Sequence, residues 1–462
     1  MAEKKEDGLV NREAGSLTIS PKTRLARTVP ETSIRRQMPL RQSAKRLARG
    51  ALEALSAVRP KHWDALRISL SHSRRLLSSS APALEHLERA MSWLRNAQDA
   101  TGSGGVSWGY RSRAAIRSTE TVGWQPAYPE TTGYLIETFL RYGHQKKDPD
   151  FLDRARRMAD WETGIQLDDG GIPGGTLGAQ PVASSTFVTG QVIFGWLRAF
   201  QEWEDQKYLQ AAGRAADFLV SCLDEEGRFK SGYSHFCGPG PKAYEVRTGW
   251  ALVLAGRRLG VPRYIDAGRR IAAFTLSCQR PNGWFSQNDL DNHSMPLTHT
   301  IGYTLDGLLE TGLLLEESSC LEAVSNSLSQ LKSLIHEDGF LAGRWTSDWK
   351  PAAQWCCLTG SGQLAGVCFR AHRIYPHQGF DAMGKKLLGF VAFTQTLEGS
   401  NRGLVGAIHG SYPFGGDYGR YCCLNWAAKF YADAVMDFFA VSEHPRMEAG
   451  RTIASPSQFP AA

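Results

Sequence analysis

Hydrophobic and polar positions form two kinds of helical pattern along this chain. In the first kind, apolar residues recur every three or four positions and charged residues occupy the other side, as in residues 151–166, 208–223 and 264–279. In the second kind, as in residues 190–200 and 249–259, apolar residues lie on most sides. The patterns therefore predict outer helices with one buried face and inner helices that are buried all round.

Glycine-centred turns divide the chain at a regular interval. Six of them, roughly 60 residues apart, each follow a helix of the outer kind; they lie at Gly105, Gly170, Gly227, Gly283, Gly339 and Gly403. A longer loop follows each turn and leads to an inner helix that starts near a Thr or Asn, which we expect to cap that helix. The first helix (83–97) is of the outer kind and the last (426–441) of the inner kind, so the two ends are expected to pair and close a ring.

We therefore predict an all-α fold, an (α/α)6 toroid of six helix hairpins with inner and outer rings, over residues 81–445. Residues 1–80 form a leader and residues 446–462 a short tail. This repeat resembles the (α/α)6 toroid superfamilies, which include six-hairpin glycosidases, uronyl hydrolases, polysaccharide lyases and uronyl C5-epimerases. Terpenoid cyclases and lanthionine cyclases have related toroids. The resemblance implies the fold more specifically than the reaction.

The net charge of +7 is unevenly distributed. Residues 1–80 contain 17 Lys or Arg and 7 Asp or Glu, a charge of +10, which leaves −3 for the rest of the chain. The composition predicts a solvated leader that can dock on an acidic partner. The negative body gives no indication of nucleic-acid binding.

Several sequence features limit the location and the cofactors. The N-terminal residues lack the apolar run of a signal peptide, and no stretch approaches the roughly 18 apolar residues of a spanning helix, so we expect a cytoplasmic protein with no membrane span. In that location the nine cysteines are expected to be free thiols. Walker-type and GxGxxG motifs are absent from the sequence, and we expect no cofactor.

The predicted topology places any active site at one rim of the ring. All the long loops run from an outer to an inner helix, so they gather at the rim that also carries the N-termini of the inner helices. Each N-terminus carries a partial positive charge of about half a unit. Six of them together favour an anionic ligand such as a uronate, sulfate or phosphate.

The rim segments contain residue types suited to reactions on sugars. The candidate catalytic residues are Glu130, Asp291, His299, Asp348, His409 and Tyr412. The carboxylates in this set suit glycoside hydrolysis, which needs two of them. The His and Tyr side chains suit a lyase or an epimerase, which removes the C5 proton of a uronate while polar groups stabilise the developing charge.

Aromatic, amide and guanidinium side chains near the same rim are candidates for substrate binding. They are Trp124, Tyr128, Gln191, Arg247, Tyr303, Arg344, Trp349, Trp355 and Trp426. Aromatic rings stack on the apolar faces of sugars, and the polar groups bind hydroxyls and carboxylates. Together these residues predict a carbohydrate-active enzyme for an anionic, uronate-containing glycan or oligosaccharide, and leave hydrolase, lyase and epimerase open.

Three alternatives stay open at this point. Asp289 and Asp291 form a DxD segment, which is a partial match to the aspartate-rich motif of a terpenoid cyclase. The Cys356–Cys357 and Cys422–Cys423 pairs partly resemble the zinc ligands of lanthionine cyclases, but no His follows the second pair, so we predict no metal site. A toroid that binds a glycan or a protein without catalysis is the third alternative.

Overall fold

The computed structural model describes residues 84–112, 121–233 and 237–443. The predicted leader (1–80) and tail (446–462) lie outside the described residues, as does the proposed docking of the leader. Within the described ranges the chain is mainly helical, with twelve α-helices. None of these helices combines the length and the apolar character needed to cross a membrane.

Six of the twelve helices are of the outer kind, with one buried face. Their buried residues recur at three- and four-residue steps, as in α1, where Leu87, Ala90, Met91 and Leu94 are buried. The outer helices are α1 (Leu84–Asp99), α3 (Pro149–Ile165), α5 (Gln206–Ser221), α7 (Pro262–Ser277), α9 (Ser318–Leu334) and α11 (Phe380–Thr394).

The other six helices are of the inner kind and are buried on most sides. In α8, for example, nearly every residue from Thr298 to Gly312 is buried. The inner helices are α2 (Pro129–Lys146), α4 (Thr186–Trp203), α6 (Val246–Leu259), α8 (Thr298–Leu315), α10 (Leu358–Ile374) and α12 (Asn425–Glu443).

The helices close into a double ring. Consecutive inner helices pack on each other, and α12 packs on α2, which closes the inner ring. Each outer helix from α3 to α11 packs on the inner helix that precedes it in the chain, while α1 packs on α12. The predicted all-α toroid of six hairpins, closed by its first and last helices, is therefore confirmed.

Each turn after an outer helix contains a glycine with positive φ that packs on the next outer helix. At Gly339 φ is 84°, and a Cβ there would overlap the carbonyl oxygen of Lys386 in α11. The turn glycines are Gly104, Gly170, Gly227, Gly283, Gly339 and Gly406. The predicted turn glycines Gly105 and Gly403 also lie in the first and last turns, against the rings of Trp161 and Tyr110.

The predicted Thr caps were wrong for five of the inner helices; Thr300 and Thr359, for example, lie inside α8 and α10. Helix α2 begins at Pro129 and α4 at Thr186, so Thr132 and Thr189 lie inside the first turn. Their hydroxyls accept the backbone N–H groups of Val106 and Ile172, both at 2.9 Å. Thr248 likewise lies inside α6. Thr132 and Thr189 therefore bond the long loops to the inner ring and do not cap the helices.

The long loops carry five short strands in two small sheets. Strands β1 (Gly109–Arg111), β2 (Gly123–Trp124) and β5 (Cys422–Leu424) form an antiparallel sheet in the order β2-β1-β5. Strands β3 (Cys356–Cys357) and β4 (Ser411–Tyr412) pair with each other. The first sheet joins the first long loop to the last one, so it fixes the rim at the point where the ring closes.

Candidate functional site

Glu130 lies at the rim where the long loops meet the N-termini of the inner helices. It occupies the first turn of α2 and is half-buried. The hydroxyl of Tyr128, the residue before α2, donates to its Oε2 at 2.5 Å. The hydroxyl of Tyr303, from α8 across the ring, donates to its Oε1 at 3.3 Å. Two elements distant in the sequence thus hold one carboxyl group in a fixed orientation.

The surroundings of Glu130 keep it close to the midpoint of its titration at neutral pH. Burial raises the pKa of this carboxyl to about 7, although the hydrogen bonds from Tyr128 and Tyr303 and the charge of Arg247 act in the opposite direction. A carboxyl with such a pKa can both donate and accept a proton near pH 7, as a catalytic acid or base requires.

A buried histidine lies beside the same tyrosine. The ring of His299 is 4.4 Å from that of Tyr303 and 5.4 Å from that of Tyr418, measured between centroids. Its Nδ1 is 2.7 Å from Oε1 of Gln363 in α10. Burial lowers the pKa of His299 to about 4, and the nearby Arg247 adds to this shift. His299 is therefore neutral at pH 7, which is the form that can accept a proton.

Arg247 and Gln191, two of the predicted binding residues, lie on the axis of the inner ring. The Nε of Arg247 donates to Oε1 of Gln191 at 2.6 Å, and its guanidinium also pairs with Asp306 of α8. Its Cζ is 5.4 Å from the centre of the Tyr303 ring and 5.6 Å from that of Phe430. Arg247 thus connects α4, α6 and α8, and contributes positive charge below Glu130.

A group of partly exposed aromatic rings flanks Glu130 on the other side. Trp426, at the start of α12, stacks on Trp108 with centroids 6.1 Å apart and an interplanar angle of 29°. Its indole N–H donates to the Tyr418 hydroxyl at 2.9 Å, and its ring lies 6.1 Å from that of Tyr128. Arg111 of β1 lies over Trp108 at 5.5 Å. These rings can stack on a sugar, and Arg111 can pair with its carboxylate.

Sequence reasoning missed a second carboxyl in this region. Glu245 precedes α6 and is buried, and the hydroxyls of Thr248 and Thr186 lie 3.2 and 3.4 Å from its oxygens. Burial raises its pKa to about 7, and the charge of Glu130 contributes to that rise. One signal was present in the sequence, because Glu245 precedes Thr248 at the start of an inner helix much as Glu130 precedes Thr132.

The other two predicted carboxylates lie in exposed parts of the loops. Asp291 has 74% of its side chain exposed and pairs with Arg344 at 3.6 Å. Arg344 also holds the buried Asp289 at 2.8 Å, so this arginine fixes the fourth long loop. Asp348 is likewise exposed and pairs with Lys350, which lowers its pKa to about 2. The ion pairs of Asp291 and Asp348 connect them to Arg344 and Lys350, and no contact between described residues connects either carboxylate to Glu130.

Five further predicted residues pack within the loops. His409 is fully buried, with its ring 4.6 Å from that of Phe414. Tyr412 packs on Phe390 and Phe393 of the outer helix α11. The three tryptophans have similar settings. Trp124 contacts Trp93 and Tyr110, Trp349 donates to the carbonyl of Asn282, and Trp355 packs beside Leu297 and Cys357.

The residues on which the terpenoid-cyclase and zinc alternatives rest, Asp289 and the cysteine pairs, belong to the structure of the loops. Asp289 accepts the backbone N–H groups of Asn292 and Leu297 in addition to the Arg344 bond. The nine cysteines, all of them among the described residues, form no disulfide bonds, and Cys356 and Cys423 are fully buried in strands. Among the described residues, no group of three or more His, Cys, Asp or Glu side chains is placed to hold a metal ion.

The fold resembles solved structures, although no protein-family profile and no curated protein sequence matches the chain. It is similar to an unsaturated glucuronyl hydrolase specific for heparin (TM-score 0.61, 14% identity, 78% of this chain and 97% of that one). It is also similar to the unsaturated glucuronyl hydrolase of Bacillus sp. GL1, responsible for the degradation of glycosaminoglycan (TM-score 0.59, 13% identity, 80% of this chain and 100% of that one). A third similar structure is that of a novel alpha-amylase from Clostridium perfringens (TM-score 0.53, 13% identity, 76% of this chain and 98% of that one).

These similarities establish the class of fold. The chain has the same (α/α)6 toroid fold as these solved structures, as the sequence repeat predicted. At identities of 12–14% the likeness concerns the fold and not the reaction.

Proposed function

We propose that this protein is a carbohydrate-active enzyme that hydrolyses an anionic, uronate-containing oligosaccharide, with Glu130 as the proton donor. The similar solved structures include glucuronyl hydrolases, one of them specific for heparin and another responsible for glycosaminoglycan degradation. The position of Glu130 at the loop-bearing rim, together with its pKa of about 7, is the observation that carries the proposal.

Glu130 and Glu245 supply the two carboxyls that hydrolysis needs. Because the charge of Glu130 raises the pKa of Glu245, ionisation of one carboxyl disfavours ionisation of the other. Near pH 7 such a pair readily holds one proton and one charge. In the proposed reaction the protonated Glu130 donates to the glycosidic oxygen as its bond to the anomeric carbon breaks, and the ionised partner stabilises the positive charge that develops on the sugar. Water then adds to the anomeric carbon and gives its proton to a carboxylate of the pair.

The aromatic group beside Glu130 is the proposed sugar platform. Trp108, Tyr418 and Trp426 are each partly exposed, so a sugar ring can reach them. In this arrangement Arg111, above Trp108, pairs with the uronate carboxylate.

A lyase or epimerase reaction is the second candidate, and the state of His299 favours it. This histidine is neutral at pH 7 and lies against Tyr303 and Tyr418. A neutral imidazole can remove the C5 proton of a uronate, while a tyrosine hydroxyl acts as the acid. The cytoplasmic location stays a prediction under either reaction.

The reactions can be separated by the atoms that each adds to its products. The purified protein is incubated with uronate-containing oligosaccharides in H2 18O and, separately, in D2O, and the products are analysed by mass spectrometry and NMR. A hydrolase introduces one 18O per cleaved bond. A lyase gives an unsaturated, ultraviolet-absorbing product without 18O. An epimerase places deuterium at C5 without shortening the chain.

The role of Glu130 is tested on whichever substrate turns over. Glu130→Gln should lower kcat at least a hundredfold, because general acid catalysis typically contributes about 10²–10⁴-fold. Glu226→Gln, at an exposed turn, is the matched control and should retain full activity. Asp291→Asn and Asp348→Asn test the two carboxylates that were predicted from sequence. Full activity of Glu130→Gln would refute the proposal, and binding without turnover would support the non-catalytic alternative.

A further inference from the structure

Gln363 lies beside the candidate site and contacts His299, but neither of the proposed reactions uses it. It is 3% exposed in the first half of α10, and its Oε1 is 2.7 Å from Nδ1 of His299 in α8. Its amide nitrogen forms no hydrogen bond with any described residue. His299 is therefore the only hydrogen-bond partner of this amide within the described part of the chain.

Two glycines hold the helices of this pair close together. A Cβ at Gly302 would lie 2.9 Å from Oε1 and 3.0 Å from Cβ of Gln363, so this glycine leaves room for the amide. A Cβ at Gly360, three residues before Gln363, would lie 2.7 Å from the backbone nitrogen of His299. Because both side chains extend from helices in such close contact, Gln363 can fix the orientation of the His299 ring.

The same contact selects one tautomer of His299. The neutral ring has a single N–H, and the amide oxygen of Gln363 accepts only if Nδ1 carries that proton. Nε2 then has a lone pair and forms no hydrogen bond with a described residue. In the other tautomer the N–H would lie on Nε2, where the described part of the chain supplies no acceptor, and a buried donor without an acceptor is costly.

We propose that Gln363 is a positioning residue that holds His299 as the Nδ1–H tautomer and so presents Nε2 as a hydrogen-bond acceptor to a hydroxyl group of the bound glycan. The ring of His299 contacts that of Tyr303, which bonds Glu130, and that of Tyr418 in the sugar platform. An acceptor at this place suits a sugar, because every sugar hydroxyl is a donor. The role towards the glycan rests on the proposed function, whereas the tautomer does not.

Nitrogen NMR of the full chain labelled with 15N-histidine tests the tautomer without any substrate. Long-range 1H–15N correlations at pH 7 should show a protonated Nδ1 and an unprotonated Nε2 for His299, whose resonances are identified by their loss in His299→Gln. His86 supplies an internal reference for a ring nitrogen that faces an amide oxygen. Its Nδ1 is 2.7 Å from Oε1 of Gln395, whose amide nitrogen donates to two carbonyls. A protonated Nε2 in wild-type His299 would overturn the proposal.

Two substitutions separate positioning from packing. Gln363→Met removes the acceptor at similar volume, so the His299 population should shift towards the Nε2–H tautomer. On whichever glycan turns over, kcat/KM should then fall about tenfold, as expected for the loss of one hydrogen bond. Gln363→Glu keeps an acceptor oxygen on a side chain of the same length and should keep the Nδ1–H tautomer.

Gln395→Met is the matched control, because it removes the same kind of contact from His86, outside the candidate site. It should alter the His86 resonances and leave those of His299 and kcat/KM unchanged. Melting temperatures show whether each variant is folded, and the wild-type spectrum decides the tautomer even if Gln363→Met does not fold.

The outcomes distinguish the two parts of the proposal. An unchanged His299 spectrum in folded Gln363→Met would overturn the positioning role. A shifted tautomer with unchanged kcat/KM would overturn the role of Nε2 towards the glycan. If no uronate-containing glycan turns over, the proposed function fails, while the NMR measurement still decides the tautomer.

Discussion

At the scale of single residues, the titration of Glu130 results from opposing effects. Burial disfavours the ionised carboxyl, while the hydroxyls of Tyr128 and Tyr303 stabilise it. The result is a pKa of about 7, so loss of either hydroxyl should move the titration in a known direction.

We predict that Tyr128→Phe shifts the pH dependence of activity to higher pH. Without the 2.5 Å hydrogen bond the Glu130 carboxylate loses a stabilising donor, so its pKa rises. As a proton donor Glu130 acts below its pKa, and the basic limb of kcat/KM against pH should therefore move upward from about 7. The control is Tyr431→Phe, because the buried hydroxyl of Tyr431 forms no hydrogen bond within the described ranges. A basic limb that moves downward would assign Glu130 a different role.

A second buried carboxyl should make stability depend on pH. Both oxygens of Glu162 in α3 are fully buried and form no hydrogen bond with the described part of the chain, and burial alone raises the pKa of this carboxyl well above its usual value. The folded state therefore holds this proton more tightly than the unfolded state does. The sign follows from linkage: the stability that the protonated form contributes is fully present below about pH 4.5 and is lost as pH rises towards the folded pKa.

We predict that Glu162→Met increases the free energy of unfolding at pH 7 by about 1–3 kcal/mol, because it removes an unsatisfied polar group from the interior. The gain should shrink as the pH falls towards 4.5, where the wild-type carboxyl is protonated. Urea unfolding at several pH values measures both effects. A gain that is the same at every pH would show that the Glu162 proton does not contribute.

At the scale of helices and turns, the sequence repeat predicted the order and kind of all twelve helices. It succeeded because one-sided and all-round apolar patterns report burial directly. The sequence predicted the positions of individual turn residues less well. In the first and last turns the glycine with positive φ is Gly104 or Gly406, one and three residues from Gly105 and Gly403, and the sequence alone does not show which glycine takes that conformation.

The turn glycines give a prediction with an internal control. Gly339→Ala places a Cβ at positive φ and against the backbone of Lys386, so it should destabilise the fold by about 2 kcal/mol or more. Gly389, in the helix that contains Lys386, has no atom within 4 Å of a built Cβ. Gly389→Ala should therefore be neutral or stabilise by up to about 1 kcal/mol. Chemical unfolding measures both variants, and equal effects would contradict the role of the turn.

At the scale of the whole molecule, the ring brings together residues that the sequence separates widely. Glu130, His299, Tyr303 and Trp426 were all predicted from sequence because they lie in the long loops or directly after them, and ring closure brings these segments to one rim. Asp291 and Asp348 were chosen because they lie in long loops without an evident structural role. Their actual partners, Arg344 and Lys350, depend on loop conformations that helical periodicity does not encode.

Ring closure can be tested with two equivalent glutamines. In α1, Gln98 donates to the carbonyls of Gly104 and Arg154 at 2.9 and 3.1 Å, which joins consecutive hairpins. Gln395 donates to the carbonyls of Gly406 and His86 at 2.8 and 3.1 Å, which joins the last hairpin to the first. The contacts are alike, but only the second pair lies at the junction that closes the ring.

We predict that Gln98→Met and Gln395→Met lower the global free energy of unfolding by similar amounts, about 1–3 kcal/mol, because each removes two buried hydrogen bonds to carbonyls. In a closed ring every junction between hairpins belongs to one cooperative unit. Weakening the closing junction should therefore lower the global free energy of unfolding as much as weakening any other junction. In an open stack of repeats the end hairpin would separate first. Hydrogen exchange distinguishes the two cases: faster exchange confined to α1 in Gln395→Met, with an unchanged global midpoint, would show that the closing junction opens independently of the rest.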